Sequence, residues 1–442
     1  MLNRSEILVS LDIGTSKVKV IIGEVSKDTM NVIGVGVAES KGMKKGAIVD
    51  IDQTVHSIQN AVDQAERMVD MEIHRVIVSI NGSHIDLQDC HGVVAVSSET
   101  REISDEDIER VIEASQVMSI PPEREIVDVY PKQFIVDGQD EITDPRGMIG
   151  VRLEMQGTLI TCGRTNLHNI LKCVERAGLE VQDICLQPLA SGDVALSRDE
   201  KNLGVGLVNI GAGSTTISVF ADGNLVQTSV IPLGGDNITK DLSIGLKTTT
   251  EEAEIIKQEY GHAYLKEALE ENTFSVTTIG SNDQQTFSQV QITEIIEARL
   301  AEIYHFVMQE FRRMGYRDLP GGYVLTGGVM SLPGVDLLAR DIFQSNVRIS
   351  VPTHIGVREP HFTVGLGTLQ FAYRNAKIQG KEYVTGVKIE EQETNPKPTK
   401  PTKPTKPSKS IKVEKKEKKE PEKTRSKNKD SIVKRLQNYF FD

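Results

Sequence analysis

The sequence predicts a mixed α/β protein built from two related lobes, and three observations carry that expectation. Strand-like and helix-like patterns alternate through residues 1–386. One hairpin pattern occurs twice, about 200 residues apart, which suggests a duplicated lobe. A third glycine turn follows the second copy at the end of another strand-like run.

The first copy reads Ile7-Leu8-Val9-Ser10-Leu11-Asp12-Ile13-Gly14-Thr15-Ser16-Lys17-Val18-Lys19-Val20. The second reads Leu207-Val208-Asn209-Ile210-Gly211-Ala212-Gly213-Ser214-Thr215-Thr216-Ile217. Each is an apolar strand, a carboxylate or amide, Ile-Gly, a short hydroxyl-bearing turn and a second strand of period two. The third turn, Tyr323-Val324-Leu325-Thr326-Gly327-Gly328, precedes a helical stretch starting near Val335.

Such turns let backbone N–H groups converge on a phosphate, because no Cβ blocks close approach. The hydroxyls of Thr15, Ser16, Ser214 and Thr215 add donors, and Lys17 adds a point charge. Asp12, just before the first turn, suits Mg2+, which keeps several of its waters. Gly327-Gly328 can pass under a nucleoside, with a helix N-terminus facing phosphate. A branched side chain at Gly327 would then stand against the nucleoside. Taken singly, each turn reads more readily as an ordinary hairpin or strand-to-helix connection than as a phosphate loop. Their order and spacing together favour phosphate.

Composition narrows the field. Hydrophobic residues are 38% and charged residues 26% of 442, enough for a large core. Aromatics are 5% with no Trp, which does not favour a stacking platform for nucleic acid. No apolar run approaches the ~20 residues of a membrane span, and the first residues enter a strand-like pattern without a secretory signal. Cys90, Cys162, Cys173 and Cys185 form no CxxC pair and read as reduced thiols. The signatures of P-loop, Rossmann, zincin and serine-hydrolase proteins are missing.

Charge separates the chain into two parts. Residues 388–442 hold 17 Lys and Arg against 9 Asp and Glu, a net of +8, and the rest carries −20. An acidic body is a poor partner for nucleic acid, whereas a basic tail suits an anionic surface.

These features resemble the actin-like ATPase superfamily, and more closely the bacterial FtsA cell-division family. The resemblance rests on Ser10 to Lys17, Val324 to Gly328 and Gly365-Leu366-Gly367-Thr368, and covers nearly the whole chain. It implies a first large subdomain from 1–81, 163–192 and 365–386, interrupted by an inserted FtsA-type subdomain at 82–162. It implies a second large subdomain from 193–240 and 318–364. The segment 241–317 would be a small subdomain receiving the C-terminal peptide of FtsZ.

The resemblance also assigns residues to ATP and Mg2+. Asp12, Gly14, Thr15, Ser16 and Lys17 match the first phosphate loop, with Asp12 reaching the metal through water. Gly211, Gly213, Ser214 and Thr215 match the second loop, and Gly327 and Gly328 the adenosine motif. Gln187 stands where the superfamily orients attacking water. Glu254 and Lys257 match a helix at the adenine and ribose, the alternative being a solvated ion pair. Asn209 replaces the Asp of many members, and an amide brings no charge to a hydrated Mg2+. ATP binding is expected to survive that change, with hydrolysis weakened. Arg299 matches a peptide-contacting Arg on a helix-like run, Ile292–Met314, that presents Ile295, Ile296, Leu300, Ile303, Tyr304 and Val307.

The C-terminus completes the expectation. A Pro/Thr/Lys repeat within 387–429 reads as a disordered linker. In a helix over 430–442, Ile432, Val433, Leu436, Tyr439 and Phe440 share a face ~120° wide, with Phe441 at its margin. Lys434 and Arg435 lie opposite, as in a helix seated in an anionic membrane interface. The implied function is a polymerising adaptor that tethers FtsZ to the cytoplasmic face of the membrane at the septum. Its partners would be FtsZ, anionic lipids, further copies of itself and other division proteins. A phosphotransferase of the same fold and an actin-like component of a secretion or pilus platform are the alternatives.

Overall fold

The computed structural model describes residues 6–387 apart from Asp28, Ser83, His84, 281–283, Lys381, Glu382 and Val384. The linker from 388 onward and the helix 430–442, with all eight of its membrane-facing assignments, lie outside the described residues.

The first lobe begins with consecutive hairpin strands β1 (Glu6–Ile13), β2 (Lys17–Ser26) and β3 (Thr29–Glu39). A small hairpin, β4 (Met43–Lys44) and β5 (Ala47–Ile48), leads to helix α1 (Ile51–Val69) and strand β6 (Arg75–Ile80). Asp50 caps α1, its carboxylate accepting the Gln53 N–H at 3.0 Å. The chain then builds a separate layer: β7 (Asp86–Ala95), α2 (Asp105–Ser115), β8 (Arg124–Val136), β9 (Gln139–Ile142) and β10 (Arg152–Gly163). These strands form their own sheet, ordered β7-β10-β8-β9. Its buried face packs Phe134, Leu153 and Met155 with Ile108 and Val111 of α2. Helix α3 (Arg164–Arg176), β11 (Glu180–Leu186) and α4 (Gln187–Ala195) return to the first lobe.

The second lobe opens with α5 (Arg198–Leu203) and repeats the hairpin run in β12 (Val205–Ile210), β13 (Thr215–Ala221) and β14 (Asn224–Ile231). Helices α6 (Gly235–Leu246) and α7 (Thr250–Tyr260), the pair β15 (Thr273–Thr277) and β16 (Gln284–Ser288), and α8 (Gln289–Arg313) follow. The lobe closes with β17 (Tyr323–Thr326), α9 (Val335–Phe343) and β18 (Val347–Ile349), and α10 (Thr363–Gln379) ends the described helices.

The duplication is plain in the sheets. One is ordered β3-β2-β1-β6-β11 and the other β14-β13-β12-β17-β18. In both, three antiparallel strands in sequence are extended by two parallel ones. β1 and β12 occupy the middle, so both are apolar and buried along nearly their whole length. The Gly365–Thr368 motif belongs to α10, where it crosses α4. A Cβ at Gly367 would stand 2.0 Å from the Ala190 carbonyl oxygen, so only glycine permits this approach.

The expected apolar stripe of Ile292–Met314 is not a free face. Ile296, Leu300, Ile303, Tyr304 and Val307 are fully buried in the second lobe's own core, and Ile295 packs against it. A 25-residue amphipathic helix buries its stripe at home unless something else covers that core.

Candidate functional site

The two hairpin turns meet across a cleft of about 350 Å3 between the lobes. Each is a four-residue loop closed by the same backbone bond. The Gly14 N–H donates to the Lys17 carbonyl at 3.1 Å, and the Gly211 N–H to the Ser214 carbonyl at 3.0 Å. Equal loops fix equal parity downstream. Val18 and Thr215, each the first residue past its loop, therefore both face the core, and Lys19 and Thr216 both line the cleft.

That parity corrects one expectation. The Thr215 hydroxyl donates to the Leu233 carbonyl at 2.8 Å in the protein interior and is not at the cleft. The structure brings the other assigned cleft residues together: Asp12, Gly14, Thr15, Ser16, Lys17, Gln187, Asn209, Gly211, Gly213, Ser214, Glu254, Lys257, Gly327 and Gly328.

Asp12 is 3% exposed and accepts three donors. They are Lys19 Nζ at 2.9 Å, Ser79 Oγ at 2.8 Å and Gln187 Nε2 at 3.0 Å. A buried carboxylate so occupied suits a hydrated cation in its outer shell better than direct ligation. Among the described residues, no group of three or more His, Cys, Asp or Glu side chains could hold a metal.

At the other end, Glu254 and Lys257 form a half-buried pair. Lys257 is 8% exposed, and its Nζ donates to Glu254 Oε2 at 2.6 Å and to Thr239 Oγ1 at 2.7 Å. Burial alone would raise the Glu254 carboxyl, but the Lys257 charge and the donated hydrogen bonds bring it below its ordinary range.

Gly327 carries a second correction. Its φ is +97°, and a Cβ there would stand 2.4 Å from Asn209 Oδ1 and 2.5 Å from the Ile210 carbonyl oxygen. A side chain at Gly327 strikes the protein itself, so a substitution there reports on folding. Gly328 is the open position, where a Cβ meets only His361 Cβ, at 3.9 Å. The glycine pair leads into a single 3-10 turn, Gly328–Ser331, and α9 starts only at Val335. Pro333 and Gly334 separate that helix N-terminus from the cleft-lining residues.

Sequence reasoning missed several cleft residues. Lys19 was legible: a four-residue loop pairs it with Asp12, and its period-two spacing from Lys17 aims it the same way. His361 was not, because it enters from the segment before α10. Burial, with Lys19 and Lys17 nearby, pushes its imidazole down to about 4. Gly46 and Asn81 reach the cleft from two further connections.

Arg299, on α8, does not line this cleft. Its guanidinium is shared by Asp241 of α6 and Glu302, so it is not a free cation awaiting a carboxylate. All four cysteines are free and buried, and burial pushes the Cys162 thiol up to about 12.

Twin five-stranded sheets with a cleft between their hairpin tips define the actin-like ATPase fold. The chain superposes on the type IV pilus PilM–PilN complex at TM-score 0.55, with 16% identity over 83% of this chain and 98% of that one. It superposes on MreB5 of Spiroplasma citri bound to ADP at TM-score 0.53, with 13% identity over 85% and 98%. Those likenesses are of fold. Within it, the family model "Cell division protein FtsA" matches residues 206–367, and "SHS2 domain inserted in FTSA" matches 82–161. The cell division protein FtsA of Bacillus subtilis is 57% identical over 442 residues, covering all of both chains. The chain belongs to the FtsA family of bacterial cell-division proteins.

Proposed function

We propose that the chain is an ATP-binding, polymerising adaptor that links the FtsZ ring to the membrane at the septum and helps to recruit later division proteins. The observation that carries the nucleotide part is the convergence of two glycine hairpins, Lys17, Lys19 and the Gly327-Gly328 turn on one cleft. Phosphates lie between the turns Gly14–Lys17 and Gly211–Ser214, with hydrated Mg2+ facing Asp12. The nucleoside runs toward Gly328, Glu254 and Lys257. Gln187, its amide nitrogen held by Asp12, is the residue placed to orient water.

For FtsZ, the reading shifts from the buried stripe of α8 to the end of α6. Ile244 is 65% exposed and Ile279 68%, and the Ile279 N–H donates to the Lys247 carbonyl at 2.8 Å. Ile295 of α8 lies against Gly245 beside them. An apolar peptide face fits there, with the Arg299–Asp241 pair at its rim. Membrane attachment rests on the sequence of residues 430–442; among the described residues no helix is long and apolar enough to cross a membrane.

Co-sedimentation with anionic liposomes and FtsZ, with and without Mg·ATP, tests the whole reading. The adaptor brings FtsZ down with the liposomes. FtsZ left in the supernatant while the protein itself is bound removes the adaptor role.

A further inference from the structure

We propose that Arg146 is a latch that sets the angle of the inserted sheet by fastening it to the end of α10, and that the seam behind it parts as a unit when the latch lets go.

The insert has two roots in the first lobe. The chain leaves β6 through Asn81 and Gly82 and returns at Gly163, where α3 begins. Close to the returning root, Glu125 Oε2 stands 2.9 Å from His168 Nε2 of α3. The second hold on the insert is α10. Phe371, Asn375, Ile378 and Gln379 fall at i, i+4, i+7 and i+8, one face of that helix, and all four meet the insert. The Phe371 ring lies 5.9 Å from the Tyr130 ring, and Ile378 packs against the insert's core. Asn375 Nδ2 donates to Asp128 Oδ2 at 3.0 Å, and Gln379 Nε2 to the Val129 carbonyl at 3.1 Å.

Two helix ends meet at the rim of this seam. Asp105 is the first residue of α2, and Gly380 is the residue that ends α10. A Cβ at Gly380 would stand 3.1 Å from Asp105 Cβ. The negative end of α10 therefore faces the positive end of α2. Arg146 fills the junction. Its guanidinium donates to the Lys377 and Ile378 carbonyls in the last turn of α10, and to the carboxylates of Asp105 and Asp144 in the insert. A lone surface ion pair holds little. A guanidinium spread over two carboxylates and two helix carbonyls is a fastening.

The seam behind the latch is polar. Asp128, Asn375 and Gln379 are all buried in it, and Asn375 Oδ1 has no hydrogen-bond partner among the described residues. An apolar stripe at these positions would gain nothing from water. A carboxylate, two amides and an orphaned oxygen regain hydration when the seam parts, so parting costs them less. That leaves Arg146 as the group that keeps the insert against α10. The angle so fixed decides how the insert's free faces are presented to whatever docks on them.

All four native cysteines are buried, so spin labels go to introduced ones. Full-length protein carries Asn60→Cys on α1 and Asp140→Cys on β9, both exposed positions. Pulsed dipolar spectroscopy should give one narrow distance peak, and adding Arg146→Ala should about double its width or add a second peak. In the unlabelled Arg146→Ala protein, hydrogen exchange across residues 375–380 and 128–130 should quicken together, by at least about tenfold. An unchanged distance distribution overturns the proposal. So does faster exchange confined to residues 144–148, which is what losing a surface ion pair gives. Should Arg146→Ala fail to fold, Asp105→Ala removes one hold of the latch from its exposed side and is read the same way.

Discussion

Asp12 and Asn209 hold the same place in two copies of one sheet, and only the first carries a charge. Asp12 stands in register with Lys19 on one neighbouring strand and Ser79 on the other. Asn209 stands in register with Thr216 and Thr326. The first lobe thus presents a buried ion pair to the cleft, and the second an amide among hydroxyls. A nucleotide between them would meet a charged strand end on one side and a neutral strand end on the other.

Restoring the charge in the second wall is the direct consequence to test. Asn209→Asp should leave Mg·ATP binding unchanged or tighten it by about 1 kcal/mol, roughly fivefold, with faster hydrolysis. Steady-state phosphate release measures the rate. A slower rate in the variant would show that the neutral amide is not what limits turnover.

Lys19 and Asp12 stabilise each other, since each is nearly fully buried. Lys19→Met strands a buried carboxylate and should cost about 3 kcal/mol in urea unfolding. The double variant Asp12→Asn, Lys19→Met should recover much of that loss, while nucleotide binding stays impaired in both. Additive losses in the double variant would mean that the two do not act as a pair.

The two adjacent glycines should separate cleanly. Gly328→Val puts a branched side chain where a Cβ meets only His361 Cβ, at 3.9 Å, and should weaken a fluorescent ATP analogue by more than about tenfold with little change in melting temperature. Gly327→Ala should instead destabilise the fold by about 2–3 kcal/mol through its positive φ and the Asn209 contact. Melting curves and analogue titrations on both variants decide it, and the reverse pattern would misplace the nucleoside.

The Arg348 guanidinium, bonded to Glu200, together with the Ser197 cap holds the Glu200 carboxyl down to about 2. Because its folded value is depressed, the contribution is complete above about 4.5 and fades as pH falls toward about 2. Arg348→Gln should flatten that part of the urea midpoint against pH. A wild-type profile with no fall over this interval would contradict the pairing.

How much of this was legible in advance follows from physical rules. The duplicated hairpins announced both lobes, because central strands need continuous apolar runs and phosphate turns need glycine. Parity past a turn depends on loop length, which composition does not report, so Thr215 read as a phosphate contact although it faces the core. The stripe on α8 looked like a docking face because periodicity shows that a face is apolar and not what covers it. His361, Gly46 and Asn81 arrive from separate connections, and only the folded chain brings them to one cleft.

The FtsZ reading has its own probe in Ile244→Glu, which places a charge on an exposed apolar position. It should lower affinity for an FtsZ C-terminal peptide by at least about tenfold in a polarisation titration and leave ATP binding unchanged. Arg299→Glu is the poorer probe, since it sets a third carboxylate beside Asp241 and Glu302.

Whether the cleft between the two sheets holds an adenine nucleotide, as proposed, can be measured directly. Full-length protein is purified without added nucleotide, saturated with an equimolar mixture of ATP and GTP plus Mg2+, freed of excess and denatured. Mass spectrometry then identifies what is released. Adenine nucleotide at close to one per chain is expected from wild type, and a small residue from Gly328→Val. Guanine nucleotide, no nucleotide at all, or equal retention by the variant would contradict it.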